Sequence, residues 1–345
     1  MQKPFFSIII PAYNLENYIA ATLQSVLVQT FQDFEIIIVD DGSSDETVSI
    51  IQSFHDPRIH LVSQVNGGVS RARNAGMKKA MGAYIAFLDG DDYWYPEHLE
   101  LAADFFNRHP EILAYANRYM RDELEAIPPR PPSYPESIRR LGIRGVLFMN
   151  SSSVILNSSL ASRLPPWEEA MPYGEDGLYW TRCMRGTGLI GLGGSVTSIY
   201  RQRASSAMHD EHYQHVSLHS LIAPLLNELE AMKNPKWQFA VHYLVIRELH
   251  PKRLLSLNAE ERISLTGRIR KIMHPCLNRP FLDSYMKACS ARAGMEQSFS
   301  ALMDRTMFSC KWLDRLERMG RSLFFRLQTN NGMESKHQDP VRSRS

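Results

Sequence analysis

Two β-branched runs stand near the start of the chain: Ser-Ile-Ile-Ile at 7–10 and Phe-Glu-Ile-Ile-Ile-Val at 34–39. Continuous β-branched runs of this length suit strands covered on both faces, as in a parallel sheet. Between them Ile19, Leu23, Val26 and Leu27 recur at helical spacing within 16–28, which predicts a strand-helix-strand unit. The pattern then repeats as a helix over 45–54, a strand at 59–62, a helix over 70–81 and a strand at 84–88. This alternation predicts an α/β fold with a Rossmann-like, doubly wound, mostly parallel sheet. Ligands of such sheets bind beyond the carboxyl ends of the strands. Polar stretches lie at all four: Pro11 to Asn14, Asp40 to Asp45, Asn66 to Asn74 and Asp89 to Asp92.

The second half patterns differently. Prolines crowd residues 122–137, forbidding helix or central strand, and this loop separates two halves of one domain. A strand is expected at 151–156, a helix opening near Glu175 and a strand at 195–201, with helices from His212 onward. The expected organisation is a donor half at 1–120, an acceptor half at 121–211, a helical C-terminal region at 212–328 and a disordered polar tail at 329–345. Within 306–327, Phe308, Trp312, Leu316, Met319, Leu323 and Leu327 recur at helical spacing among Lys311, Arg315, Arg318, Arg321 and Arg326. Such a basic amphipathic helix lies in a membrane interface or docks on the domain with its charges in water.

Composition narrows the function. The 39 Lys and Arg against 37 Asp and Glu give a net charge of +2, which argues against nucleic acid as a partner. Cys183, Cys276, Cys289 and Cys310 lack metal-site or disulfide-framework spacing, which fits a reducing cytoplasm. No stretch approaches the roughly 20 apolar residues of a membrane span, so the expected membrane contact is peripheral, on the inner face.

The chemistry concentrates in carboxylates. Asp89, Asp91 and Asp92 follow an apolar strand, where close like charges need a compensating cation or open water. Oxygen ligands suit Mn²⁺ or Mg²⁺, and a diphosphate would complete the shell. The alternative is a solvated turn, since Asp and Gly form turns for reasons unrelated to ligands. Asp40 and Asp41 end the second strand, with Ser44 or Asp45 expected as the N-cap of the next helix. Arg71 and Arg73 stand in a first helical turn, against the macrodipole, which favours an anion nearby; one of them pairs with an aspartate in the competing view. Glu175-Asp176 opens a helix, where acids also serve only to complement the dipole.

Ser-Ile-Ile-Ile-Pro-Ala-Tyr-Asn, Asp-Asp-Gly-Ser-Ser-Asp-Glu-Thr, Asn-Gly-Gly-Val-Ser-Arg-Ala-Arg-Asn-Ala-Gly and Tyr-Ile-Ala-Phe-Leu-Asp-Gly-Asp-Asp-Tyr-Trp, in this order, resemble the nucleotide-binding half of the family 2 glycosyltransferases. The resemblance implies a GT-A fold with a C-terminal helical extension, a nucleotide-diphosphate sugar donor carrying UDP, a divalent metal and inverting transfer. The implied acceptor is a hydroxyl of a glycan or lipid-linked glycan in surface polysaccharide synthesis. It further implies that Pro11, Ala12 and Tyr13 border the base, that Asp41 bonds base or ribose, and that Arg73 lies near phosphates or sugar. Asp91 becomes the direct metal ligand and Asp89 a ribose or sugar contact, while Asp92 is left without a role. Glu175 and Asp176, followed by Arg182, match the segment that supplies the catalytic base, which makes Asp176 the base and Glu175 a substrate contact. The stretch Arg201 to His209 is the counterpart of a segment closing over the diphosphate, with His209 a candidate metal ligand. A nucleotidyltransferase would need a Gly-rich, Arg-bearing loop after the first strand, which Pro11 to Tyr18 does not provide. A non-catalytic binding or scaffolding protein of the same fold is the remaining alternative.

Overall fold

Strand β1 (Phe6–Ala12) is buried along its whole length, and the alternation of its side chains divides the core into two layers. Ile8 and Ile10 join Ile36 and Ile38 on one face, against Leu23, Val26, Leu99 and Phe106. Ile9 points the other way, toward Phe87, Tyr179 and Trp180. The computed structural model describes residues 3–122, 128–129, 133, 135–139, 149–171, 173–202, 218–231, 241, 244–245, 257 and 259–272.

The elements run α1 (Ile19–Leu27), β2 (Phe34–Asp40), α2 (Thr47–Gln52), β3 (Ile59–Ser63), α3 (Val69–Lys79), β4 (Tyr84–Phe87), β5 (Tyr93–Trp94), α4 (His98–Arg108) and β6 (Ala114–Asp122). Then follow β7 (Ser137–Arg139), a 3₁₀ turn (Ser151–Ser153), β8 (Val154–Asn157), α5 (Ser158–Ala161), α6 (Glu175–Thr187), β9 (Ile190–Arg201), α7 (Leu218–Ala231) and α8 (Ala259–Ile272). One nine-stranded sheet has the order β3-β2-β1-β4-β8-β6-β9-β5, with β7 paired to β9. β3, β2, β1 and β4 are parallel. β8 runs antiparallel to both β4 and β6, and β6 parallel to β9. The α/β, mostly parallel architecture expected from the periodicity is therefore present, and the expected division between 120 and 121 falls inside β6.

Several boundaries move. The strand expected at 151–156 begins only at Val154, because Asn150 Oδ1 accepts the N–H of Ser152 and the Ser153 hydroxyl donates to the Asn150 carbonyl. A serine run with such local partners leaves the ladder for a turn. Neither Ser44 nor Asp45 is the N-cap of α2; that position is Glu46, although Asp45 Oδ1 still accepts the N–H of Thr47 at 3.0 Å. The strand at 195–201 is the end of the longer β9, and β6 runs to Asp122 before the proline-rich stretch, with register shifts against β9 around Arg118. The expected amphipathic helix at 306–327, the tail at 329–345 and His209 lie outside the described residues. Among the described residues no helix is long and apolar enough to cross a membrane.

Two features fix the sheet edge where the polar loops gather. A Cβ on Gly76 of α3 would stand 2.5 Å from Ile9 Cγ2, so glycine lets the helix approach β1 closely. His98 is buried, stacks on Trp94 at 4.0 Å and pairs with Thr197 Oγ1 at 2.9 Å, and burial lowers its pKa to about 3. It is a neutral core residue.

Candidate active site

The loops beyond β1, β2 and β4 are knitted together by their own polar side chains. Asn14, with φ of 51°, accepts the N–H of Ser44 through Oδ1 at 2.8 Å and donates its own N–H to Ser43 Oγ at 3.0 Å. The N–H of Leu15 donates to Thr47 Oγ1, and that of Glu16 to Asp45 Oδ2. Pro11 and Ala12 are buried at this edge while the Tyr13 ring is 49% exposed. Asp40 Oδ1 accepts the N–H of Ser43. Asp41 is buried and engaged: Oδ1 accepts from Gln64 Nε2 at 2.7 Å and from the N–H of Gly67 at 2.9 Å, and Oδ2 from the N–H of Gly68 at 2.7 Å. Asp41 thus holds the loop that leads into α3.

The Asp89 to Asp92 segment is a tight turn, closed by the N–H of Asp92 donating to the Asp89 carbonyl at 2.9 Å. Thr22 Oγ1 lies 2.9 Å from the carbonyls of both Gly90 and Asp92. Gly90 sits against its neighbours: a Cβ there would stand 2.6 Å from Leu15 Cδ1 and 2.9 Å from the Pro11 carbonyl oxygen. The three aspartates part company at this turn. Asp92 is fully buried, with Oδ2 accepting from Ser152 Oγ at 2.5 Å and Oδ1 from the N–H of Arg201 at 2.9 Å. Burial first, then the charges of Asp91 and Asp89, push its pKa well above the carboxylate range. The role that the sequence leaves blank is internal: Asp92 ties the turn to the 3₁₀ serines and to the end of β9. Ser152 completes this strut by accepting the N–H of Asp89 at 3.0 Å, while its carbonyl accepts Trp94 Nε1 at 2.6 Å. Arg201 Nε donates to the Asp91 carbonyl at 2.9 Å, and its guanidinium lies over the Tyr18 ring.

Arg73 joins the two halves. It is 3% exposed, donates through Nη2 to Asp89 Oδ1 at 2.7 Å and through Nη1 to Glu175 Oε1 at 2.9 Å, and lies 4.4 Å over the Trp167 ring. Both carboxylates hold it cationic against the opposing effect of burial. Arg71, on the same turn of α3, is exposed. Glu175 and Asp176 open α6 after Gly174, whose φ of 75° suits glycine. Asp176 is half-buried and its Oδ1 accepts the N–H of Gly177 at 2.6 Å. Arg182 turns away from this cluster, pairing instead with Glu228 of α7 and with Glu168.

Burial, with the adjacent Asp176, raises Glu175 from 4.5 to about 7, against the attraction of Arg73. Because the folded chain then holds this proton more tightly than the unfolded one, the contribution to stability is full below about pH 4.5 and declines as the pH rises through about 7. The melting temperature of the ligand-free protein is expected to fall over that window, and Glu175→Gln to flatten the fall. An equal slope in the variant would remove Glu175 as its source.

Two residues of this cluster carry no motif. Trp167 packs flat on Tyr179, with ring centroids 4.0 Å apart, and its backbone N–H and carbonyl both engage the Asn74 amide. Ser152 and Trp167 lie far along the chain from the aspartates and from α3, and only the folded sheet brings them together.

Among the described residues no group of three or more His, Cys, Asp or Glu is arranged to hold a metal. Asp92 is committed to Ser152 and Arg201, and one oxygen of Asp89 to Arg73. Asp89 and Asp91 bring hard carboxylate oxygens to a single turn, which suits Mg²⁺ or Mn²⁺ held by one or two carboxylates and completed by substrate phosphates. The donor set fits such an ion.

Residues 7–159 match the model of Glycosyl transferase family 2. Among curated proteins, the chain is 32% identical over 212 residues to the Escherichia coli UDP-Glc:alpha-D-GlcNAc-diphosphoundecaprenol beta-1,3-glucosyltransferase WfgD, covering 60% of this chain and 80% of that protein. It is 49% identical over 92 residues to the uncharacterized glycosyltransferase EpsJ of Bacillus subtilis, covering 26% of this chain and only 27% of EpsJ. The crystal structure of S. aureus TarS 1–349 in complex with UDP-GlcNAc superposes with a TM-score of 0.64 at 20% identity, covering 87% of this chain and 90% of that one. This last likeness is one of fold.

Proposed function

Because the chain belongs to glycosyl transferase family 2, we propose that it moves a sugar, with inversion, from a UDP-sugar to a hydroxyl of a glycan or lipid-linked glycan. The observation that carries this reading is Arg73 bridging Asp89, on the turn after β4, to Glu175, at the head of α6. One guanidinium thereby holds a donor-side turn and a helix start bearing a second carboxylate in one frame.

In this reading Pro11, Ala12 and Tyr13 border the nucleobase and Asp41 offers its remaining lone pair to base or ribose. Asp89 faces ribose or sugar. Asp91, with Asp89 beside it, would hold Mn²⁺ or Mg²⁺, which would supply charge stabilisation to the departing diphosphate. Asp176 takes the proton of the acceptor hydroxyl as that oxygen attacks the anomeric carbon from the side opposite the diphosphate. Glu175, with its pKa raised to about 7, carries only part of a charge near neutral pH and so sits beside that base without adding a second full charge. WfgD, by its name, acts on a diphosphoundecaprenol-linked sugar, which supports a lipid-linked acceptor and a working place at the inner membrane face.

The test is release of UDP from a panel of UDP-sugars in the presence of Mn²⁺. Asp176→Asn is expected to lower transfer roughly 10² to 10⁴-fold, as loss of a general base does, while donor binding is retained. Saturating donor, at about 100 times its dissociation constant, is expected to add about 2.7 kcal/mol of stability in both proteins. A chain that binds a UDP-sugar yet never cleaves it would support the scaffolding alternative.

A further inference from the structure

A cavity of about 430 Å³ lies between α6, α7 and the strap at 166–170, within the size range of sites that enclose small ligands. The strap alternates between two tasks. Trp167 and Glu169 face α3, where both bond the Asn74 side chain, whereas Glu168 and Ala170 line the cavity. On α6, Glu175 and Arg182 are seven residues apart, hence on one helix face and separated by about 10 Å along the axis. The cavity, lined by Arg182, therefore begins about 9 Å along α6 from the candidate base Asp176, roughly a third of a turn round the helix from it.

The lining defines the ligand's chemistry. Arg182 donates through Nε to Glu228 at 2.9 Å, through Nη2 to Glu168 at 3.4 Å and through Nη1 to the Pro166 carbonyl at 3.2 Å. Arg185 donates to the other Glu228 oxygen at 2.7 Å. The lining thus holds one guanidinium and two carboxylates, with Arg185 outside it paired to Glu228, which leaves a wall with little net attraction for a phosphate or a metal cation. The carboxylates keep lone pairs for O–H donors. Asn227 Oδ1 accepts from Arg268, and its Nδ2 has no partner among the described residues. Ala170, Ala223 and Pro224 supply apolar surface. Hydroxyl acceptors, an amide donor and a C–H face together suit a neutral sugar ring.

We propose that this cavity is a distal subsite for the acceptor glycan, holding a neutral sugar residue remote from the hydroxyl that is glycosylated. The assignment rests on the transferase reading above. Its test is saturation-transfer NMR on the full chain with UDP and Mn²⁺ present, using chitotriose and cellotriose as probes and pyrophosphate as the charged control. Saturation of at least one trisaccharide is expected. It should fall at least tenfold in Ala223→Trp, which fills the cavity, and measurably in Asn227→Ala, an exposed position whose truncation leaves the core untouched. Equal saccharide signals in all three proteins, no saccharide signal in the unmodified chain, or pyrophosphate as the better ligand would overturn the subsite. UDP release from donors by the unmodified chain is read separately. Cleavage without saccharide binding sinks only the subsite, and cavity-dependent saccharide binding by a chain that cleaves no donor sinks the transferase.

Discussion

Asp91→Ala is expected to lower kcat/KM about 10³-fold, the equivalent of about 4 kcal/mol of charge stabilisation on the leaving diphosphate. The side chain stands on a turn whose geometry is set by others: Thr22 on the carbonyls, Ser152 and Arg201 on Asp92, and the packing of Gly90 against Leu15. Truncating Asp91 therefore removes a carboxylate without removing those supports of the turn. The measurement is steady-state transfer at saturating Mn²⁺, with thermal unfolding as the control. Near-normal turnover in the variant would end the metal assignment.

Arg73→Ala should act first on stability, by about 3–5 kcal/mol, because removing one partner of a buried ion pair leaves the other charge uncompensated. Glu175 bears most of this, its side chain being 11% exposed, whereas Asp89 is 25% exposed and partly relieved by water. Arg73→Lys keeps the charge but loses the planar fork that reaches both carboxylates, so a large part of the loss should persist. Urea denaturation measures both. Adding Glu175→Gln to Arg73→Ala is expected to restore part of the deficit, since the stranded charge disappears; additive losses in the double variant would show that Arg73 stabilises by packing on Trp167 and not by pairing.

What was legible in the sequence was whatever period and loop chemistry could carry. The β-branched runs announced β1 and β2, and the polar stretches at four strand ends converge as expected. Asp91 and Asp92 read alike in the sequence, yet their environments separate them, because burial of Asp92 depends on Ser152 and on the backbone of Arg201. Neither partner is near in the chain. The same holds for the seat of Arg73: Arg71 and Arg73 carry the same charge in the same turn, and only the approach of Trp167 and Glu175 distinguishes the clamp from the exposed neighbour. α4 went unassigned despite its buried Leu99, Phe105 and Phe106, and Ser151 to Ser153 misled because local hydrogen bonds outcompeted strand propensity. Arg182 follows the Glu-Asp pair as in the resemblance, but its charge is spent on Glu228 and Glu168.

Because β4, β8 and β6 share continuous ladder bonds, the two halves make one stiff plate rather than two lobes. Opening a hinge between them would break those bonds, so substrate entry and product exit fall to the connecting loops. For engineering, residues 121–211 are no detachable cassette: exchanging them as a block would cut through β6 and remove β8 from between its neighbours, whereas recasting loop by loop preserves the plate.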